Sequence, residues 1–87
     1  MSLRKAAIVN PLRTPIGRFL GGLKTLPAEK LASHIISAVL ARSKIDPQMI
    51  DEVIFAQSYA NSEAPCIGRW AALDAGLPIK TPGFPLI

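Results

Sequence analysis

Apolar side chains recur along residues 27–44 with the period of a helix, and this pattern constrains the fold more than any other feature. The apolar side chains form two adjacent rows, one of Ala28, Ala32, Ile36 and Leu40 and one of Leu31, Ile35 and Val39. This spacing places both rows on one face of a helix. Pro27 and Glu29 suit the first turn. Arg42 and Lys44 suit the last turn, so residues 27–44 are predicted to form an amphipathic helix.

Short apolar runs on both sides of this helix are predicted to be β-strands. Residues 6–10 form the first run, which ends at Asn10-Pro11, and residues 53–59 form the second. The order strand, helix, strand predicts a parallel pair joined by a right-handed crossover. Residues 11–26 contain two prolines and three glycines without a sustained period, so they are predicted to be a long loop.

A second helix and a third strand are predicted in the last third of the chain. The helix covers residues 65–75, because termination signals begin at Gly76. Residues 81–87 then form the strand. Pro82 and Pro85 lack a backbone donor, so this strand should lie at a sheet edge or begin its pairing beyond them. The expected fold class is α/β, with about three parallel strands and two crossover helices.

The composition limits the size and the location of the protein. A chain of 87 residues forms one small domain at most. Its residues are 49% hydrophobic and only 18% charged, which indicates surfaces that pack against further protein. No apolar run approaches the roughly 18 residues of a membrane span, so no membrane partner is expected. The single cysteine, Cys66, excludes an internal disulfide and a cysteine-based metal cage, and a cytoplasmic location is expected.

The positive charge is not arranged for nucleic-acid binding. The net charge of +4 comes from ten cations spread along the chain. No cationic block exceeds Arg4-Lys5, and no aromatic row alternates with the cations. A nucleic-acid footprint needs Lys and Arg gathered on one face, so no nucleic-acid partner is expected.

One glycine pair resembles a phosphate-binding loop but lacks its lysine position. Gly17 and Gly22 have the required spacing, and Lys24-Thr25 almost completes the motif. Leu23 intrudes, whereas the lysine must follow the second glycine directly to reach the phosphates. The segment is therefore predicted to be a flexible loop, and no dinucleotide fingerprint is present.

Two residues are candidates for catalysis, and both are assigned structural roles. Cys66 follows Pro65 near the start of the second helix, where the dipole can lower the pKa of a thiol. No second group is placed to act as its base, so packing is the favoured role. His34, the only histidine, falls on the polar face of the first helix and is predicted to be solvated. No catalytic residue and no metal ligand is therefore assigned, and cofactor-binding residues stay unassigned.

Four sequence motifs, in their order and spacing, carry a family resemblance. They are Arg13-Thr14-Pro15-Ile16-Gly17 with Phe19, Gly21 and Leu23; Ile45-Asp46-Pro47 with Asp51-Glu52-Val53-Ile54-Phe55; Asn61-Ser62-Glu63-Ala64-Pro65-Cys66-Ile67-Gly68-Arg69; and Ala71-Ala72-Leu73-Asp74-Ala75-Gly76-Leu77-Pro78 with Pro82-Gly83. Together they resemble the N-terminal segment of the thiolase family. The resemblance covers essentially the whole chain, and the third motif is similar to the acetyl-CoA acetyltransferase branch.

The resemblance implies a fold and a reaction. A thiolase has two similar halves, each with a mixed five-stranded sheet, in alternating layers of helices and sheets. Residues 1–87 are expected to be the incomplete first part of the N-terminal domain, cut before the helix that carries the catalytic cysteine. That nucleophile is expected within a few residues after Ile87. It would take an acyl group from a CoA thioester and pass it to a second acceptor.

The resemblance also implies the partners and leaves alternatives open. Acetyl-CoA and CoA are implied as substrates, without a separate cofactor, in a homo-oligomer that is a dimer or a tetramer. The alternatives are a 3-ketoacyl-CoA thiolase of fatty-acid β-oxidation, a lipid-carrier thiolase-like protein, and a non-catalytic thiolase-like fragment that binds another chain. The 87 residues alone are expected to be inactive.

The sequence departs from the thiolase pattern at three places. Ala56-Gln57 replaces a glycine-led pair, and Pro85 and Ile87 stand where polar residues are common.

Two arginines, Arg13 and Arg69, match the family motifs. Arginines in such positions tie loops together through bidentate bonds, and this role is favoured over contact with CoA.

Overall fold

Two helices and a two-stranded parallel sheet form the regular structure of residues 4–59, 62 and 64–86, the part that the computed structural model describes. The elements are helix α1 (Ala28–Ser43), a 3₁₀ turn (Pro47–Met49), strand β1 (Val53–Ala56), helix α2 (Ile67–Asp74) and strand β2 (Gly83–Leu86). The two strands pair in parallel, with Val53 opposite Gly83 and Ala56 opposite Leu86. The predicted α/β class is confirmed.

Helix α1 is one residue shorter at each end than the predicted range 27–44, because Pro27 and Lys44 are its cap residues. Pro27 precedes the helix in the extended conformation that cap residues adopt. Lys44 closes it in the left-handed conformation, with φ 55°, and donates its N–H to Leu40 O at 3.0 Å. The side chain of Asp46 then accepts from Gln48 N at 2.9 Å and starts the 3₁₀ turn.

Helix α2 ends in a Schellman motif at the predicted glycine. Gly76 has φ +88° and donates to Leu73 O at 3.1 Å. Leu77 donates to Ala72 O at 3.0 Å and packs against Ala72. These bonds satisfy carbonyls that the helix end would otherwise leave unpaired. The helix begins at Ile67, two residues later than predicted, because Cys66 is its cap residue.

The core lies between the two helices and one face of the sheet. One buried cluster contains Val53, Ala72 and Leu77, and the other contains Ala32, Ile67 and Ala71. Half-buried Ile36 and Phe55 contact both clusters. Alanines at Ala32 and Ala71 let α1 and α2 approach closely, since the distance between packed helices depends on the side chains at the contact. Burying Leu77 alone contributes roughly 1.5–3 kcal/mol.

The prediction of about three strands is corrected to two. Residues 6–10 have no regular secondary structure, and the side chains of Ile8 and Val9 are 90% and 61% exposed. A strand needs a neighbouring backbone to pair with, and residues 6–10 pair with neither β1 nor β2. Asn10 leaves the extended region altogether, with φ 50°, and its Nδ2 donates to Ser43 Oγ at 2.9 Å.

Both observed strands are shorter than predicted, and the prolines explain part of the difference. β1 ends at Ala56 rather than at residue 59, and β2 begins at Gly83 rather than at residue 81; Ile87, the predicted last residue, lies outside the described residues. Pro82 takes part only as an acceptor, from Val53 N at 2.9 Å. Pro85 lies within β2, which has one neighbouring strand and therefore tolerates a residue without an N–H.

A polar cluster at the outer ends of the α1–α2 contact joins the two helices. Lys30 Nζ lies 3.4 Å from Asp74 Oδ2 and 5.4 Å from the centroid of the Trp70 ring. A hydrogen bond from Ser33 lowers the pKa of Asp74 below its ordinary value of 3.8; desolvation opposes the shift, and Lys30 adds to it. Ser33 itself is buried, with 7% of its surface exposed.

Acid is expected to weaken this helix contact. The pKa of Asp74 is lower in the folded chain, so the stability that it contributes is present above its unfolded pKa and disappears as the pH falls through its folded pKa. Urea unfolding of the wild type should therefore lose more stability between about pH 5 and pH 2 than that of Asp74→Asn. Asp51→Asn, at an exposed aspartate before β1, is the control. Equal acid sensitivity of the wild type and Asp74→Asn would contradict the assignment.

Two glycines at the contact of α2 with the sheet are expected to respond oppositely to alanine. A Cβ on Gly83 would lie 3.0 Å from Arg69 N, which belongs to the backbone and cannot rotate away. A Cβ on Gly68 would meet Phe55 at an ordinary 3.5 Å. Gly83→Ala should cost about 1–3 kcal/mol. Gly68→Ala should be neutral or stabilise by up to about 1 kcal/mol, because alanine favours a helix. Urea titration of both variants tests the pair, and equal effects would contradict it.

Candidate functional site

A groove at the carboxyl end of β1 is the first candidate site. Its volume is about 280 Å³, and its walls are mostly apolar. It is lined by Thr14, Ala28, Leu31, Ala32, Ile35, Phe55, Ala56, Gln57 and Ile67. In α/β proteins ligands bind at the carboxyl ends of parallel strands. Gln57 Oε1 is buried here and has no hydrogen-bond donor among the described residues. The groove therefore offers one unsatisfied acceptor in apolar surroundings.

A second cavity, of about 290 Å³, lies between the long loop and α1. Pro15, Leu23 and Leu26 supply apolar walls from the loop, and Lys30 and His34 stand on α1. Thr14 and Leu31 line both this cavity and the groove, so the cavity and the groove are neighbours. Among the described residues, no cysteine and no carboxylate lines either cavity.

The structure does not bring Cys66 and His34 together. Cys66 caps α2 and is half-buried, and its Sγ lies 3.7 Å from Gly83 O, the distance of a weak S–H donor bond. His34 is exposed on α1, as predicted for a solvated histidine. No hydrogen bond joins the two side chains within the described part of the chain. The assignment of Cys66 as non-catalytic stays a prediction, because no observation tests its reactivity.

The two arginines singled out from the sequence have different surroundings. Arg69 Nη1 donates to Thr81 O at 2.6 Å, and Nη2 donates to Ile79 O at 2.9 Å. Arg69 thus ties a loop to a helix, which is the structural role that the sequence favours. Arg13 is exposed, and its Nη1 donates to the carbonyl of the adjacent Thr14, so within the described part of the chain Arg13 does not have the predicted loop-tying role.

The glycine loop is folded on itself and does not form a phosphate cradle. Gly21 N donates to Arg18 O at 2.8 Å, and a Cβ on Gly17 would lie 3.1 Å from the Leu23 side chain. Leu23, the residue that breaks the motif, fills the space beside the first glycine. A phosphate loop opens directly into a helix, whereas here α1 begins only at Ala28.

The sequence match to one protein family identifies the family of this chain. The family described as thiolase, N-terminal domain, matches residues 6–85. The chain belongs to the thiolase family.

Several acetyl-CoA acetyltransferases resemble the chain over most of its length. It is 44% identical to acetyl-CoA acetyltransferase 2 of Arabidopsis thaliana over 86% of the chain, and 40% identical to the mitochondrial acetyl-CoA acetyltransferase of Homo sapiens over 93%. The crystal structure of the Bacillus anthracis acetyl-CoA acetyltransferase matches 86% of the chain with a TM-score of 0.81 and 32% identity. The chain spans 19% of the length of each of these proteins.

The thiolase motifs contribute to the site region in different ways. The first motif supplies Thr14 and Pro15 to the cavities, and the third begins α2, although its Asn61 and Glu63 lie outside the described residues. Gln57, one of the departures from the thiolase pattern, supplies the unsatisfied acceptor of the groove.

Sequence reasoning missed two features of this thiolase segment. Glu29 was assigned to the helix dipole, but it is buried, and its Oε2 has no donor among the described residues. Thr81 is buried to 2% exposure, although it lies in a loop. The hydrophobic pattern of the sequence marks neither residue, because both side chains are polar.

The described residues contain neither a membrane-spanning helix nor a cluster of metal-binding side chains. None of the helices in this part of the thiolase chain is both long and apolar enough to cross a membrane. In the same residues, His, Cys, Asp and Glu do not gather into a group of three that could hold a metal ion.

Proposed function

We propose that the chain is the N-terminal part of the N-terminal domain of an acetyl-CoA acetyltransferase. The similarity to enzymes of that name over 86–93% of the chain carries the proposal. The parent enzyme transfers acyl groups between CoA thioesters. The comparisons support this thiolase branch over the β-oxidation branch, because relatives that are 40–44% identical to the chain bear the name acetyl-CoA acetyltransferase.

In this proposal the reaction takes place on a cysteine beyond Ile87. Its thiolate attacks the thioester carbonyl, an acyl-enzyme forms, and the CoA thiolate leaves with the bonding electrons. A second acceptor then takes the acyl group and restores the thiolate. The residues of this chain contribute the framework: α2 packs across β1 and β2 and holds the start of β2 in place. Cys66 acts in packing, not as the nucleophile.

The proposal extends to the ligands and the assembly of the parent enzyme. Acetyl-CoA and CoA are its substrates, no separate cofactor takes part, and the enzyme is a cytoplasmic homo-oligomer. The uncovered apolar residues of the sheet support assembly with further protein, since Ile54 is 47% and Leu86 is 52% exposed.

The same exposed face also favours a second candidate, a non-catalytic fragment that binds another chain. A parallel sheet is normally covered on both faces, and among the described residues only the helix side is covered. The two candidates differ in what this segment supports: an enzyme segment permits turnover when it is joined to the remainder of a thiolase, whereas an interaction fragment has no such requirement.

A graft into a complete thiolase distinguishes the two candidates. Residues 6–85 would replace the matching segment of the Bacillus anthracis acetyl-CoA acetyltransferase, and acetyl-CoA formation from acetoacetyl-CoA and CoA would be followed. We expect turnover within about tenfold of the parent enzyme, because the graft supplies framework and leaves the reacting groups unchanged. The same graft carrying Gly83→Val is the control for a disrupted framework. A folded, oligomeric graft without turnover would contradict the proposal.

A further inference from the structure

Arg69 makes the most specific contacts between α2 and the loop that enters β2. Its guanidinium donates to the carbonyls of Ile79 and Thr81, at 2.9 Å and 2.6 Å. A planar guanidinium fixes two acceptors in a defined geometry, which a lysine ammonium cannot do. Charged donors also form stronger bonds than neutral ones.

The backbone of Arg69 restrains the same region a second time. A Cβ on Gly83 would lie 3.0 Å from Arg69 N and 3.1 Å from Arg69 Cα, so the first residue of β2 lies directly against the helix. Thr81, between the two restraints, is buried, and its Oγ1 lies 3.5 Å from Ile50 O. The loop therefore has little freedom to shift along β1.

The position of this loop determines the register of the sheet. Pairing starts where Val53 N donates to Pro82 O at 2.9 Å and finishes where Gln57 N donates to Leu86 O at 2.9 Å. A slip of one residue would move every side chain of β2 to the opposite face. Each strand has only four paired residues, so the hydrogen bonds between the strands oppose such a slip only weakly.

We propose that Arg69 is a positioning residue for acyl transfer. By holding residues 79–81 it fixes the register of β2 and therefore the point at which the chain leaves the sheet. This inference rests on the proposed function, which assigns the nucleophilic cysteine to the segment that follows β2. Displacement of a reacting group by about 1 Å can cost on the order of 100-fold in rate.

Arg69→Met and Arg69→Lys in the grafted acetyl-CoA acetyltransferase test the positioning role. We expect Arg69→Met to lower kcat about 10- to 100-fold while KM for acetoacetyl-CoA stays within about twofold. Arg69→Lys keeps the positive charge but lacks the planar guanidinium with its two donors. Its kcat should lie between that of Arg69→Met and that of the unsubstituted graft. Arg13→Met removes the same charge at an exposed site and is the matched control.

Hydrogen exchange on the 87-residue chain gives a second readout that does not depend on turnover. In Arg69→Met the amides of Val53 and Gln57 should lose protection about tenfold or more, whereas those in the middle of α1 should not. Unchanged protection of these two amides would overturn the inference, whatever the graft does.

The outcomes separate the two proposals. An active graft in which Arg69→Met leaves kcat unchanged overturns the positioning role and leaves the proposed function standing. A loss of activity that follows only the folded fraction, with kcat per folded enzyme unchanged, also overturns it. A folded graft that is inactive with Arg69 intact overturns the proposed function and this inference together.

Discussion

Incubated with acetoacetyl-CoA and CoA, the 87-residue chain is expected to form no acetyl-CoA above the buffer rate. Acyl transfer needs an activated nucleophile, an oxyanion site and a proton donor within hydrogen-bond reach of one another. Among the described residues the nearest candidates, Cys66 and His34, lie on separate helices without a bond between them. Loss of such a set typically costs several orders of magnitude in rate.

The assay needs a positive control and a test for slow acylation. The unmodified Bacillus anthracis acetyl-CoA acetyltransferase, at equal concentration, shows that the reagents are competent. Mass spectrometry of the 87-residue chain after incubation detects an acetyl group on Cys66, and Cys66→Ser identifies its site. Turnover above buffer, or an acetylated Cys66 whose loss abolishes acylation in a folded chain, would contradict the assignment of the nucleophile to another segment.

The isolated chain is also expected to self-associate through the uncovered face of its sheet. Ile54 and Phe84 are opposite each other in the register, are 47% and 40% exposed, and lie next to Ala56 and Leu86 on the same face. Exposed apolar surface of this kind, with free strand edges beside it, promotes association. Sedimentation should therefore give a mass well above the 9.3 kDa of the monomer.

Two charged substitutions on that face should make the chain monomeric without unfolding it. Ile54→Lys with Phe84→Glu places opposite charges on directly opposed positions, which favours pairing within the sheet and disfavours contact between copies. Met49→Lys changes an exposed apolar residue outside the sheet and is the control. A wild-type chain that sediments as a monomer at high concentration, or a double variant that associates as strongly as the wild type, would contradict the prediction.

The helices were predictable from the sequence because their signals are local. The apolar rows of α1 and the glycine that ends α2 lie within the elements that they define. The strands were less predictable, since a run such as residues 6–10 specifies an extended chain but not a neighbour to pair with. Pairing depends on tertiary contacts, and residues 6–10 are not hydrogen-bonded to β1 or β2 as a further strand.

In the site region, too, the role of a residue was easier to predict than its contacts, because those contacts join residues far apart in the sequence. The loop-tying role of Arg69 could be anticipated from its residue type, but its two acceptors, Ile79 and Thr81, could not be identified from spacing. The acceptor on Gln57 became visible only when the fold buried it beside Thr14. A burial that involves segments far apart in sequence leaves no periodic pattern.

The parallel pairing of β1 with β2 has a consequence for the order of folding. Val53 meets Gly83 only after the whole of α2 lies between them, so the sheet cannot form while the chain beyond α2 is still inside the ribosome. The hydrogen bonds within α1 and α2 can form earlier, because they join residues only four positions apart in the sequence. During synthesis β1 therefore leaves the ribosome before β2 can pair with it. Until β2 follows, a chaperone or a neighbouring nascent chain can bind the unpaired edges of β1.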